Sequence, residues 1–182
     1  MTLAMLTRML CLASGVFGRP AWDDARCEEH AAYIMEAAEE YSLDPVHMVS
    51  LEIVECDMQD KDNPVKKLVR GREVVVGFDA CPMGVRIMGV EKRAGYDARA
   101  LYQLAAKRMA RWKKWCARKH KGSHHFLAHY NEGNPLYVDQ VLGVAATLRA
   151  RPSANYHLSD RISEIVRRLS KIFVRGWWSP NS

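Results

Sequence analysis

The chain has 182 residues, 48% of them hydrophobic and 26% charged, with a formal net charge of +6 and a pI near 9.1. That length suits one domain with a full core, and the composition excludes a disordered tail. The positive balance points to an anionic environment (nucleic acid, an anionic membrane or an anionic wall polymer) without choosing among them.

At the N-terminus, MTLAMLTRMLCLASGVFGRPAW places Arg8 ahead of an apolar stretch from Met9 to Phe17. Two readings fit residues 1–18: a short secretory signal cleaved after Gly18, or an N-terminal core helix. A transmembrane span does not fit, because Arg8 interrupts the run and no other segment approaches about 20 uncharged apolar residues. Removing residues 1–18 would take Cys11 away and leave Cys27, Cys56, Cys81 and Cys116, an even set compatible with two disulfides. The alternative is four reduced, partly buried cysteines.

Apolar spacing over Cys27, Ala31, Ile34, Met35, Ala38 and Tyr41 predicts an amphipathic helix from about Asp24 to Tyr41. A tight turn over Ser42 to Asp44 follows. Asp44 then offers an acceptor for first-turn N–H groups and Pro45 lacks the donor that would go unused, so a helix begins at Pro45. Val46, Met48, Val49, Leu51, Ile53 and Val54 cover most of its circumference, which predicts enclosure by protein. Glu55 near its end is therefore conspicuous: a carboxyl in such company either pairs with a cation or has its pKa raised, and the second outcome is what a general acid needs. Glu52, one turn earlier on a neighbouring face, is its competitor for that role.

Residues 57–71, DMQDKDNPVKKLVRG, read as a surface loop. Val74, Val75 and Val76 between Gly71 and Gly77 give the one strong strand signal, predicting one short strand or hairpin. A loop through Cys81, Pro82 and Gly84 leads to a long helix from Asp97 to about Lys119, ended by Gly122, with Leu101, Leu104, Ala105, Met109, Trp112 and Cys116 inward. A short helix in HHFLAHYNEGNP closes at Asn131 and Gly133, and another runs from Pro135 to Leu148 over Val138, Val141, Leu142 and Ala145. The last helix starts near Ser159, with an apolar stripe of Ile162, Ile165, Val166, Leu169, Ile172 and Phe173, cations elsewhere, and Gly176 as its stop. The expected fold is mostly α, an α+β arrangement with residues 19–150 as one domain and 151–182 as a basic amphipathic helix and tail.

Three blocks carry a family resemblance. Asp44-Pro45, Ser50 at a small-residue position, and Glu55 eleven residues after Asp44 resemble the catalytic helix of the soluble lytic transglycosylase and goose-type lysozyme superfamily. LAHYNEG at 127–133 resembles that family's Ala-x-Tyr-Asn-x-Gly segment, and PMGVRIMG at 82–89 loosely resembles its Gly-Leu-Met-Gln block. The blocks stand in family order over roughly residues 28–148. Two departures are visible: Cys56 stands where the family has Ser after its Glu, and Arg86 and Ile87 stand at the Met and Gln positions. The segment between Cys56 and Met83 is long for a minimal member and reads as a lid or partner-binding insertion.

The resemblance implies a lysozyme-like fold and cleavage of peptidoglycan glycan strands by one Glu. Glu55 would protonate the leaving glycosidic oxygen and then assist attack by the sugar's own 6-hydroxyl, leaving a 1,6-anhydromuramoyl end. A single carboxyl suffices because the nucleophile belongs to the substrate and is held at high effective concentration; ordinary glycosidases use two carboxyl groups. It implies Gly84, Ile87, Met88, Tyr130 and Asn131 as substrate-facing residues, with Tyr130 hydrogen-bonding near Glu55 or to the acetamido group of the sugar, and Asn131 holding the loop or contacting sugar. No cofactor and no metal is implied. The expected location is the periplasm or cell envelope, or a virion, with a secretion or virion assembly or an anionic membrane surface as further partners.

RMARWKKWCARKHK at 108–121 invites a nucleic-acid reading, since cations alternate with Trp112 and Trp115. An amphipathic helix with a solvated cationic face and core tryptophans explains it more simply. His120, His124, His125 and His129 lack the companion carboxylate helix of a metal site. Trp177 and Trp178 either anchor the tail to a partner or cap the core. The competing function is a non-catalytic lysozyme-like module or a basic nucleic-acid-binding protein in which Glu55 is structural.

Overall fold

The computed structural model of the chain describes residues 1–17, 20–59, 61–119, 125–131 and 134–150. The predicted helix from Ser159, Trp177, Trp178, Gly18, Gly122, Gly133, His120 and His124 lie outside them. Five helices are described: α1 (Leu3–Phe17), α2 (Asp24–Tyr41), α3 (Pro45–Cys56), α4 (Ala98–Lys119) and α5 (Pro135–Arg149). Between α3 and α4 runs an antiparallel sheet of β1 (Asn63–Val69), β2 (Arg72–Ala80) and β3 (Val85–Met88), in the order β1-β2-β3. The molecule is thus a mostly helical α+β domain.

The helix starts follow local chemistry. Asp23 caps α2 by accepting from the Arg26 N–H, Asp44 caps α3 by accepting from Val46 N–H, and Asn134 caps α5 by accepting from Leu136 N–H. Pro45 and Pro135 occupy first-turn positions where their missing donors cost nothing. Ser42 and Asp57, both left-handed, end α2 and α3.

α1 is a core element. Leu6 and Leu10 are fully buried, α1 packs on α2 and α3, and Cys11 forms a disulfide with Cys27 of α2. The cysteine set expected after loss of residues 1–18 is therefore not the set that pairs. Cys27 uses Cys11, Cys56 pairs with Cys81, and Cys116 is a free, buried thiol. Burial raises the Cys116 pKa.

The sheet corrects the reading of residues 57–71 as a loop and enlarges the expected short strand or hairpin to three strands. β1 pairs with β2 through the turn Arg70–Gly71, both residues at positive φ, 50° and 77°. A two-residue turn of that kind matches the right-handed twist of a hairpin. β1 was hidden because nearly all of it is exposed, so it lacks the alternation by which a half-buried strand is recognised.

The helices close one core, which the sheet joins at its inner end through Ala80, Val85 and Ile87. α3 packs on α5, α2 on α4, and α4 on the 3-10 turn Phe126–Asn131. Among the fully buried side chains are Ile34, Met48, Leu51, Ile53, Met83, Leu101, Tyr102 and Met109. A salt bridge from Arg149 to Asp44 ties the end of α5 to the start of α3. No described helix is long and apolar enough to cross a membrane.

Candidate active site

α3 carries two carboxyl groups one turn apart, and the fold sends them to different places. Glu52 is fully buried. The Tyr102 hydroxyl donates to its Oε2 at 2.6 Å, and that same hydroxyl lies 2.8 Å from His30 Nδ1. Glu52 thus belongs to an interior polar chain and not to a cleft. Glu55, in the last turn of the helix, is half-buried and lines a cleft of about 530 Å³.

The cleft has four walls. The end of α3 gives Glu55; β2, β3 and their connection give Asp79, Gly84 and Arg86; α4 gives Arg108, Arg111 and Trp112; the 3-10 turn gives His129, Tyr130 and Asn131. Of the residues expected at the site, Glu55, Gly84, Tyr130 and Asn131 meet here. Ile87 and Met88 do not. Along β3 burial alternates, so Ile87 turns into the core at 5% exposure, while Met88, on the outward face it shares with Arg86, is 44% exposed and lies beyond the residues that line the cleft. Their neighbour Arg86 takes the cleft position.

Glu55 sits where water is scarce, and burial is the main cause that pushes its pKa up to about 7. The Tyr137 hydroxyl donates to Glu55 Oε1 and works against that rise. Asp79 adds a smaller push upward and Arg86 a smaller one downward. Asp79 and Arg86 are cross-strand partners, joined by two bonds of 2.8 and 3.0 Å from the guanidinium to the carboxylate. That fork engages both oxygens of Asp79.

Tyr130 lines the cleft near Glu55, and its hydroxyl donates to the Met83 carbonyl at 2.7 Å, fixing the turn that precedes Gly84. The tyrosine bonded to Glu55 is Tyr137 of α5, which the sequence reading passed over. It lies four residues before Val141 and so on the same inner face, a signal that could have found it. Burial, and next the nearby Glu55, push both phenols well above their ordinary pKa, so both remain donors.

Gly84 makes the site sterically feasible. Its φ is +59°, and a Cβ there would lie 2.8 Å from both Cβ and Oε2 of Glu55. The Cys56–Cys81 disulfide binds the residue after Glu55 to the loop that leads to Gly84. Cys56 therefore offers no hydrogen-bond donor; it is a tether.

Trp112 and Trp115 leave the core, contrary to expectation. Trp112 is half-buried and stacks on His129 with ring centroids 4.5 Å apart and planes at 16°; Trp115 meets the same imidazole edge-on at 5.0 Å. The result is an aromatic edge on the α4 side of the cleft. Among the described residues no group of three or more His, Cys, Asp or Glu is placed to hold a metal.

No protein-family model, no curated protein and no solved structure matches this chain. The chemical reading of the site rests on its own geometry. It presents one carboxyl that keeps its proton near neutrality, a phenol bonded to it, a second carboxyl engaged by an arginine, and a groove with cationic and aromatic walls.

Proposed function

We propose that the protein is a lytic transglycosylase that cuts the bond between N-acetylmuramic acid and N-acetylglucosamine in peptidoglycan, with Glu55 as its one acid and base. The observation that carries this reading is the Glu55 carboxyl, raised to about 7 by burial and set in a groove. An acid with that pKa is about half protonated at neutral pH, so both the acid and the base form are at hand.

In the reaction the Glu55 proton passes to the glycosidic oxygen as its bond to the muramoyl C1 breaks. The resulting carboxylate takes the proton of the muramoyl 6-hydroxyl as O6 bonds to C1. Glu55 ends protonated, no water is consumed, and a 1,6-anhydro end is left. Tyr137 steadies the carboxylate between the two transfers, since its hydroxyl bond favours the charged form. The pairing of Asp79 with Arg86 favours this one-carboxyl course, because a carboxylate held by two guanidinium bonds is poorly placed to activate water.

Four of the residues that the family resemblance implied share this cleft, which supports the assignment. The two disulfides suit an oxidising compartment such as the periplasm, or a virion surface. In that setting the protein opens the wall locally, in company with a secretion or virion assembly. The test is digestion of purified peptidoglycan by wild type and Glu55→Gln, with mass spectrometry of the soluble products. Anhydro ends released by wild type and lost in the variant are expected. Hydrated reducing ends would indicate a lysozyme-type hydrolase, and no release from either would favour a non-catalytic module.

A further inference from the structure

The cleft carries more positive charge than its acid needs. Three of its lining residues are arginines and two are carboxylic acids. Arg86 and Asp79 satisfy one another. Arg108 donates from Nη2 to the Arg86 carbonyl at 2.8 Å, which fixes the guanidinium against the sheet while leaving its charge without a described carboxylate partner. Arg111 lies one turn further along α4 and is exposed, with no ion pair to a described residue. Residues three apart share a helix face, so the two guanidinium groups stand side by side along one wall. Trp112, the next residue, is braced by its stack on His129.

Cations beside an acid that must hold its proton work against it, because they favour the ionised carboxylate. A charge-neutral glycan would give nothing in return. A strand bearing its own carboxylate would, since a guanidinium binds a carboxylate through a planar pair of N–H donors and discriminates against neutral groups.

We propose that Arg108 and Arg111 form a subsite for a carboxylate carried by the glycan strand, alongside the sugar seated near Trp112. This rests on the peptidoglycan reading of the cleft and narrows it: the preferred substrate is an anionic strand, not a neutral one. Peptidoglycan supplies such a group in two places. One is the lactyl carboxylate of muramic acid, free where the peptide has been removed; the other is a carboxylate of the attached peptide.

The experiment uses the full chain and three polymers: intact peptidoglycan, glycan strands stripped of peptides by an amidase, and peptidoglycan whose carboxylates are capped as methylamides. Binding is measured on the Glu55→Gln background so that no strand is cut, with and without Arg108→Gln plus Arg111→Gln. Cleavage is measured in parallel with Glu55 intact. The arginine changes are expected to weaken binding about tenfold on a carboxylate-bearing polymer, as loss of a charge-assisted pair implies. On the capped polymer the unaltered subsite should fall to the level of the double variant. Loss on intact polymer alone assigns the peptide carboxylate, and loss on the stripped polymer assigns the lactyl group.

Equal binding by both proteins on all three polymers overturns the subsite. So does an equal fold-loss on charged and capped polymers, which is the mark of a merely structural role. If Glu55-dependent cleavage persists while the arginine changes have no effect, the subsite fails and the enzymatic reading stands. If the protein with Glu55 intact cuts no polymer, the enzymatic reading itself fails.

Discussion

A Cβ on Gly84 would lie 2.8 Å from both the Cβ and the Oε2 of Glu55, on a backbone already at φ +59°. Real side-chain carbons do not approach so closely, and Glu55 cannot retreat, because its carboxyl is held by Tyr137. The carboxyl therefore owes its position to the missing side chain of a residue in a different element. Gly84→Ala is predicted to destabilise the fold by about 1–3 kcal/mol, from backbone strain alone, and to displace the acid. Thermal unfolding followed by circular dichroism measures the first effect, and turnover of peptidoglycan the second. A variant with unchanged melting and unchanged turnover would show that the contact is not needed.

Tyr137 is predicted to set the alkaline limb of the pH profile. Its hydroxyl favours the ionised form of Glu55 and so lowers that pKa. Tyr137→Phe removes the bond, so the Glu55 pKa rises further. Activity that depends on the protonated acid then persists to higher pH, while the maximal rate falls because the carboxylate between the two proton transfers loses its donor. Rates as kcat/KM across pH 5 to 9 give the check. A limb that stays in place, or moves to lower pH, contradicts the assignment.

Glu55 should also leave its mark on stability. Its folded pKa, about 7, lies above the ordinary 4.5. The folded state thus binds the proton more tightly than the unfolded state does. Stability associated with this group is complete below about pH 4.5 and is lost as pH rises through about 7. Glu55→Gln is neutral at every pH and escapes that loss. It should match wild type near pH 4.5 and exceed it above pH 7, by at most about 3 kcal/mol. Urea unfolding at pH 4.5 and pH 8 tests the difference; a gap that is the same at both values is the contrary result.

The Cys56–Cys81 bridge joins the end of α3 to the loop before Gly84 across a sequence separation of 25. Replacing both cysteines by serine is predicted to cost about 3 kcal/mol of stability and to lower turnover, since Glu55 and Gly84 lose their shared anchor. Reduction of the unaltered protein should cost more, since it also opens Cys11–Cys27. Replacing Cys116, which is unpaired, by alanine should leave the effect of reductant unchanged.

Helices α2 to α5 were legible in the sequence because their signals are local, whereas residues 1–18 read equally as a signal and as the core helix α1. Asp44-Pro45 and the apolar period of α2, α3 and α4 gave bounds within a residue or so of those observed. β1 was not legible, since NPVKKLV pairs with β2 while staying exposed, and burial is what writes alternation into a strand. Glu55 was visible as a carboxyl in apolar company. Its hydrogen-bonding partner was not, because Tyr137 is 82 residues away and looks in sequence like one more buried face residue of α5. The arginine wall was read as a solvated helix face. Only the packing of α4 against the turn at Phe126–Asn131 makes Arg108, Arg111 and Trp112 a side of the cleft.

The claim on which the rest depends is that the Glu55 carboxyl holds its proton close to neutrality. It can be measured by a carbon-13 NMR titration of the glutamate carboxyl resonances, with Glu55 assigned as the one missing in Glu55→Gln. A midpoint near 7 is expected for Glu55, well above the ordinary 4.5. A midpoint near 4.5 would contradict it, because a carboxyl already ionised at neutral pH has no proton to deliver to a glycosidic oxygen.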